Sequence, residues 1–155
     1  MRVALGADHG GFRLKEIIKG YIRLRGIEVE DCGTHSLEPV DYPDFSYVVG
    51  HAVAGGRADF GILVCTTGIG MAIAANKIPG VRAALCTDSY LAKMSRQHND
   101  ANVLALGESI TDDNTALEII DVFLSTEFAQ GRHAARVHKI ENNNTSTSRS
   151  LKHLF

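Results

Sequence analysis

The chain is 155 residues long, 45% hydrophobic and 22% charged, and its 16 Lys+Arg against 18 Asp+Glu leave a net charge of −2. This composition excludes a fibrous or wholly disordered chain and argues against a dedicated binder of nucleic acid or anionic membrane. No apolar run approaches the roughly eighteen residues of a membrane span, and three widely spaced cysteines make neither a disulfide framework nor a zinc ribbon.

A domain of this length buries a core without a disulfide or metal staple. The apolar stretch after Met1 is too short for a signal peptide and meets Asp8 at once. The expectation is a cytoplasmic protein with one domain over residues 1–140. Residues 141–155, rich in Asn, Ser and Thr, are expected to be a mobile polar tail.

Val3 to Ala7 is the first apolar run. Leu14, Ile17, Ile18 and Tyr21 then fall on one helix face, and Gly26 is placed to end that helix. Ile27 to Cys32 reads as a strand, and Thr34 to Tyr42 as a loop. Pro43 stands where a second helix can begin, with Phe45, Val48, Val49, Ala52 and Val53 as its apolar face. The unbroken run Phe60 to Cys65 predicts a strand covered on both faces. A short Ala-rich helix over Gly70–Asn76, a strand over Val81–Cys86, a helix over Ser89–Arg96 and a strand over Asn102–Leu106 follow. Thr111 can cap a last helix carrying Ala116, Ile119, Ile120 and Phe123. Five strands alternating with helices predict an α/β fold, a parallel sheet with helices on both faces. The expected strand order is 2-1-3-4-5.

Ligands of such sheets bind beyond the carboxyl ends of the strands, where strand order reverses. Between strands one and three that point gathers Asp8-His9-Gly10-Gly11 and Cys65-Thr66-Thr67-Gly68-Ile69-Gly70. The second segment is a glycine turn from strand into helix, which aims main-chain N–H groups at an anion. It matches neither the dinucleotide fingerprint nor the P-loop, because Ile73 takes the place of a third glycine and Lys77 lies too far away.

Cys65 reads either as a buried structural thiol or as a base or nucleophile beside a helix N-terminus, a position that can lower a thiol pKa. Cys32 and Cys86 read as ordinary core residues. Asp8 is a cap or a functional carboxylate, and the local sequence does not choose. His98 ends the fourth helix at the amino edge of the sheet, so a catalytic His98 would serve the crevice of a partner chain. Arg132, His133 and Arg136 read as solvated charge or as a clamp on phosphate. None of the 7 histidines forms a His-x-His or His-Glu-x-x-His pattern, so no metal site is expected.

Taken in order, Asp8-His9-Gly10-Gly11-Phe12, Asp41-Tyr42-Pro43, Cys65 to Gly70, Ala74-Ala75-Asn76-Lys77, Ser95 to Asp100 and Gly131-Arg132-His133 resemble the type B ribose-5-phosphate isomerase family, shared with allose-6-phosphate and galactose-6-phosphate isomerases. The resemblance runs from about Arg2 to Ile140. It implies a Rossmann-like fold and an aldose–ketose isomerase without metal or cofactor. It further implies a homodimer or dimer of dimers with shared active sites, acting on a small sugar phosphate.

By the same resemblance Cys65 is the base between C2 and C1, and His98, assisted by Asp8, opens the sugar ring. Thr67 and the N–H groups of Thr66, Gly68, Ile69 and Gly70 hold the enediolate. Asn99 binds a sugar oxygen, His9, Arg132 and Arg136 meet the phosphate, and Tyr42 lines the pocket. The chain departs from the pattern at Thr66, where glycine is usual, and at Ser109, where many relatives have arginine. A branch with a glutamate base is set aside by Met71 at that position. The pentose substrate is expected, with a six-carbon sugar phosphate as the alternative; more remote is a phosphoanion-binding regulatory domain, which would need the glycine turn and the arginines but neither Cys65 nor His98.

Overall fold

The most completely buried strands take the inner places in the sheet of this computed structural model, which describes residues 1–142. The elements in chain order are β1 (Arg2–Ala7), a 3₁₀ turn (His9–Gly11), α1 (Phe12–Leu24), β2 (Glu28–Asp31), α2 (Tyr42–Ala54), β3 (Phe60–Cys65), α3 (Ile69–Ala75), β4 (Ala83–Leu85), α4 (Ser89–Asn99), β5 (Val103–Gly107), α5 (Asp113–Ser125) and α6 (Arg132–Glu141). All strand pairs are parallel and the order is β2-β1-β3-β5-β4. The expected order 2-1-3-4-5 is therefore corrected at one edge. Val103–Gly107 is buried along its whole length and takes the inner place. Ala83–Leu85, only three residues long and half-buried, is left at the rim. The reversal between β1 and β3 is unaffected.

The sheet separates two cores. Leu14, Ile18 and Ile22 of α1, Ala92 of α4, and Ile119, Ile120 and Phe123 of α5 pack on one face against Leu5, Ile62, Val64, Leu104 and Leu106. Val49, Ala52 and Val53 of α2, with Met71 and Ala75 of α3, pack on the other against Ala4, Leu63, Cys65 and Val103. Because side chains alternate along a strand, Ile62 and Val64 face the first core. Leu63 and Cys65 face the second.

The helix ends follow from their residues. At the end of α1 the Gly26 N–H donates to Arg23 C=O (3.0 Å) and the Ile27 N–H to Ile22 C=O (3.4 Å), which closes the last turn. At α5 the cap is Asp112, not Thr111: the Asp112 carboxylate accepts from the Thr115 N–H at 3.1 Å. A carboxylate suits the positive end of a helix better than a hydroxyl. Thr111 is buried instead, and its Oγ1 has no hydrogen-bond partner among the described residues. Helix α6 is not anticipated by apolar spacing, since His133 is its one buried side chain. It reaches Glu141, which pairs with Arg82 at 2.5 Å. The remainder of the expected tail, from 143, lies outside the described residues. No described helix is long and apolar enough to cross a membrane.

One buried charge ties α1 to β2. Lys15 is fully buried, and its ammonium sits 2.9 Å from Asp31 and 2.8 Å from Glu16. Burial works against the Asp31 carboxylate, but Lys19, Lys15 and the Gly33 N–H outweigh it and bring the pKa down to about 2. A carboxyl depressed in the folded state stabilises the fold above its unfolded pKa, near 4, and loses that contribution as pH falls toward 2. Asp31→Asn should cost about 2 kcal/mol at pH 7, because it leaves the buried Lys15 ammonium with Glu16 as its one carboxylate partner. Urea unfolding at pH 7, 4 and 2 checks this, and the variant's stability should fall less than the wild type's across the acid interval.

Candidate active site

β1 and β3 end side by side, with Ala7 opposite Val64, and each runs into a tight turn. Asp8 follows β1 and is buried. Its Oδ1 accepts from the Gly10 N–H at 2.9 Å, so it does cap the 3₁₀ turn. Burial pushes its carboxyl above the ordinary value, against the opposing pull of that N–H. Capping and a place in the crevice are therefore one position with two uses. His9 is exposed, and its Nδ1 accepts from the Val40 N–H at 3.2 Å, which ties the loop after β2 to the crevice.

After β3, the buried Cys65 accepts the Gly68 N–H on its Sγ at 3.0 Å. The turn closes because Gly68 takes φ 79°, and because a Cβ there would lie 2.5 Å from Leu85 Cδ1 and 2.9 Å from Leu106 C. Thr67 Oγ1 accepts from the Ile69 N–H at 3.4 Å. Tyr42, the first residue of α2, lays its ring on Gly70, where a Cβ would come within 2.7 Å of it. Thr66 is exposed, and its C=O accepts both the Ser109 N–H (3.1 Å) and the Ser109 hydroxyl (2.6 Å). Asp8, His9, Tyr42 and the turn Cys65-Thr66-Thr67-Gly68-Ile69-Gly70 thus gather at the carboxyl edge of the sheet.

His98, Asn99, Arg132 and Arg136 do not join them within the chain. The Gly61 N–H near the start of β3 donates to Asn102 C=O, just past the end of α4. Cys65 stands four residues further along that strand, about 13 Å away. His98 is half-buried and stacks on His133, with ring centroids 4.2 Å apart and planes 3° from parallel. His133 is buried, and its Nδ1 has no hydrogen-bond partner among the described residues. Burial, then His98, Arg132 and Arg136, hold its pKa below the ordinary histidine value. Arg132 and Arg136 are exposed beside it on α6.

Burial pushes the thiols of Cys32 and Cys86 up to about 11 each, as core cysteines require. Among the described residues no group of three or more His, Cys, Asp and Glu could hold a metal ion. Two features escaped the sequence. The stack on His133 was invisible without α6, and Glu108, whose contacts reach both walls of the crevice, is in sequence only a charge after a strand.

A thiol and a carboxylate at a switch point, beside a turn lined with main-chain N–H groups, make a crevice in an α/β fold suited to a small anionic ligand. The ribose/galactose isomerase family model matches residues 3–140. The chain belongs to that family and is an aldose–ketose isomerase. It is 48% identical over 139 residues to the ribose-5-phosphate isomerase B of Escherichia coli (strain K12), covering 90% of this chain and 93% of that protein. Among solved structures it is similar to the ribose-5-phosphate isomerase B of Clostridium thermocellum, with TM-score 0.90 and 55% identity over 91% of this chain and 95% of that one. The type B ribose 5-phosphate isomerase of Trypanosoma brucei gives TM-score 0.88 at 55% identity, over 90% and 96% of the two chains.

Gly68→Ala is expected to cost about 2 kcal/mol or more, from the left-handed backbone together with the clash. Urea denaturation gives the stability, and the same variant should lose turnover because the Gly68 N–H leaves the Cys65 sulfur.

Proposed function

We propose that the chain interconverts D-ribose 5-phosphate and D-ribulose 5-phosphate by proton transfer through an enediolate. The observation that carries this reading is Cys65, a buried thiol at the end of an inner strand whose sulfur receives a main-chain N–H at 3.0 Å. That donor holds the sulfur in place at the strand end. As thiolate, Cys65 removes the C2 proton of the open-chain aldose. The electron pair forms the C1–C2 double bond and charge settles on O1. After O1 takes a proton and O2 gives one up, the same thiol delivers its proton to C1 and O2 becomes the ketose carbonyl.

The charge develops on oxygen, so fixed donors stabilise the transition state more than the ground state. Thr67 and those N–H groups between Thr66 and Gly70 that the Cys65 sulfur and the Thr67 hydroxyl do not already occupy are the donors in this scheme. Asp8 and His98 open the ring, and Tyr42 lines the pocket. His98, Asn99, Arg132 and Arg136 serve the crevice of a second copy of the chain, since in their own they stand toward the amino edge of the sheet, at the far end of β3 from Cys65. A homodimer, or a dimer of dimers, then completes each site. His9 with the two arginines holds the phosphate, whose remote binding energy fixes the sugar in register. The scheme needs no metal or cofactor, and the enzyme works in the cytoplasm. The relatives' pentose phosphate names support the five-carbon substrate.

Proton NMR of ribose 5-phosphate in D2O with EDTA tests the chemistry. The wild type should produce ribulose 5-phosphate with deuterium at the exchanging carbon. Cys65→Ala should keep sugar-phosphate binding in a thermal-shift assay yet lose about a thousandfold in conversion. Near-normal turnover in that variant would remove Cys65 as the base. Shared sites make a separate prediction: equal mixing of inactive Cys65→Ala and His98→Asn chains should restore about a quarter of wild-type activity, since half the dimers are mixed and each has one intact site. No recovery on mixing would place His98 in its own chain's crevice.

A further inference from the structure

Glu108, the first residue after β5, touches both walls of the crevice. Its N–H donates to Cys65 C=O at 2.9 Å. Its carboxylate reaches the other way: Oε2 accepts the Leu14 N–H at 3.0 Å, and Oε1 accepts Arg13 Nε at 2.9 Å. Helix α1 needs that acceptor, because its own cap residue, Gly11, offers no side chain. The missing cap is supplied from 94 residues away in the chain. Arg13 then continues to Asp113 in the first turn of α5, with contacts of 3.0 and 2.9 Å.

The neighbouring residue completes the grip. Ser109 holds Thr66 C=O through its N–H and its hydroxyl. The Thr66 hydroxyl in turn lies against Gly10, two residues from Asp8, so closely that a methyl group there would collide with it. The main chain of Glu108 and Ser109 therefore fixes the Cys65–Thr66 wall, while the Glu108 carboxylate fixes the start of the helix behind Asp8.

We propose that Glu108 is a positioning residue that sets the separation of Cys65 and Asp8. The inference rests on the roles given to those two residues above. A plain surface ion pair would contribute little and would act only on stability. Asp113 supplies the comparison, because it binds the same arginine while the Leu14 N–H goes to Glu108.

The test uses the full chain with Glu108→Ala, Glu108→Gln, Glu108→Asp and Asp113→Asn. Two quantities are read: steady-state conversion of ribose 5-phosphate, and the rate at which iodoacetamide alkylates Cys65, followed by peptide mass spectrometry without any substrate. Glu108→Ala should lower kcat about 10–100-fold with KM changed less than about threefold, the signature of misplaced reacting groups. Glu108→Gln keeps an oxygen for the Leu14 N–H and should recover to within about fivefold of wild type. Glu108→Asp, one methylene too short for Leu14, should lose about tenfold, and it keeps the test decisive if the alanine variant does not fold. Cys65 alkylation should shift by at least about fivefold in Glu108→Ala or Glu108→Asp and stay unchanged in Asp113→Asn.

Glu108 variants within about twofold of wild type in both readings would overturn the proposal. So would Asp113→Asn losses equal to those of Glu108→Ala. A wild type that converts no ribose 5-phosphate would sink the isomerase reading instead, and the alkylation rates would still decide whether Glu108 positions Cys65.

Discussion

The pairing of β1 with β3 is the constraint from which the site follows. The chain leaves β1 toward one face through α1 and returns to β3 across the other through α2. A crevice opens between the two strand ends. The parallel register sets Ala7 beside Val64, so Asp8 and Cys65 emerge as neighbours although they are far apart in sequence. Each strand end then turns too tightly to leave its donors idle: the Gly10 N–H goes to Asp8 and the Gly68 N–H to Cys65.

The second constraint is the direction of the helices. Helices that follow parallel strands run back toward the amino edge, and so α4 carries His98 and Asn99 away from the crevice of its own chain. Helix α6 packs beside α4 and brings Arg132, His133 and Arg136 to the same end. One chain therefore carries two clusters of polar side chains at opposite edges of one sheet. One is built of a thiol, a carboxylate and main-chain donors, the other of imidazoles and guanidinium groups.

Much of this was legible in the residues. Apolar runs marked four of the strands and the segment Ile27–Cys32 the fifth, and the glycine turn after Cys65 together with Asp8 marked the crevice. The direction of α4 was enough to expect His98 at the far edge. The sheet order was not legible, because a three-residue strand and a five-residue strand of similar apolar character differ only in how completely the fold covers them. The two faces of Phe60–Cys65 were equally hidden, since an unbroken apolar run has no alternation to read. Thr111 and Asp112 were adjacent candidates for one cap, decided by where β5 ends. Helix α6 had no apolar stripe to reveal it, and Glu108 gains its meaning from Leu14 and Cys65, contacts that no local pattern encodes.

The rims of the sheet carry a consequence of their own. An outer strand with free N–H and C=O groups can recruit a strand from another molecule, and proteins blunt that tendency with brevity or charge. Here β4 is three residues long. β2 reads Glu28-Val29-Glu30-Asp31, with Glu30 paired to Arg57 and Asp31 to Lys15 and Lys19. Neither rim offers a long uncharged ladder to a newcomer. Copies of this chain are steered away from fusing sheet to sheet, and the surfaces left for recognising one another are the helices and the two ends of the strands.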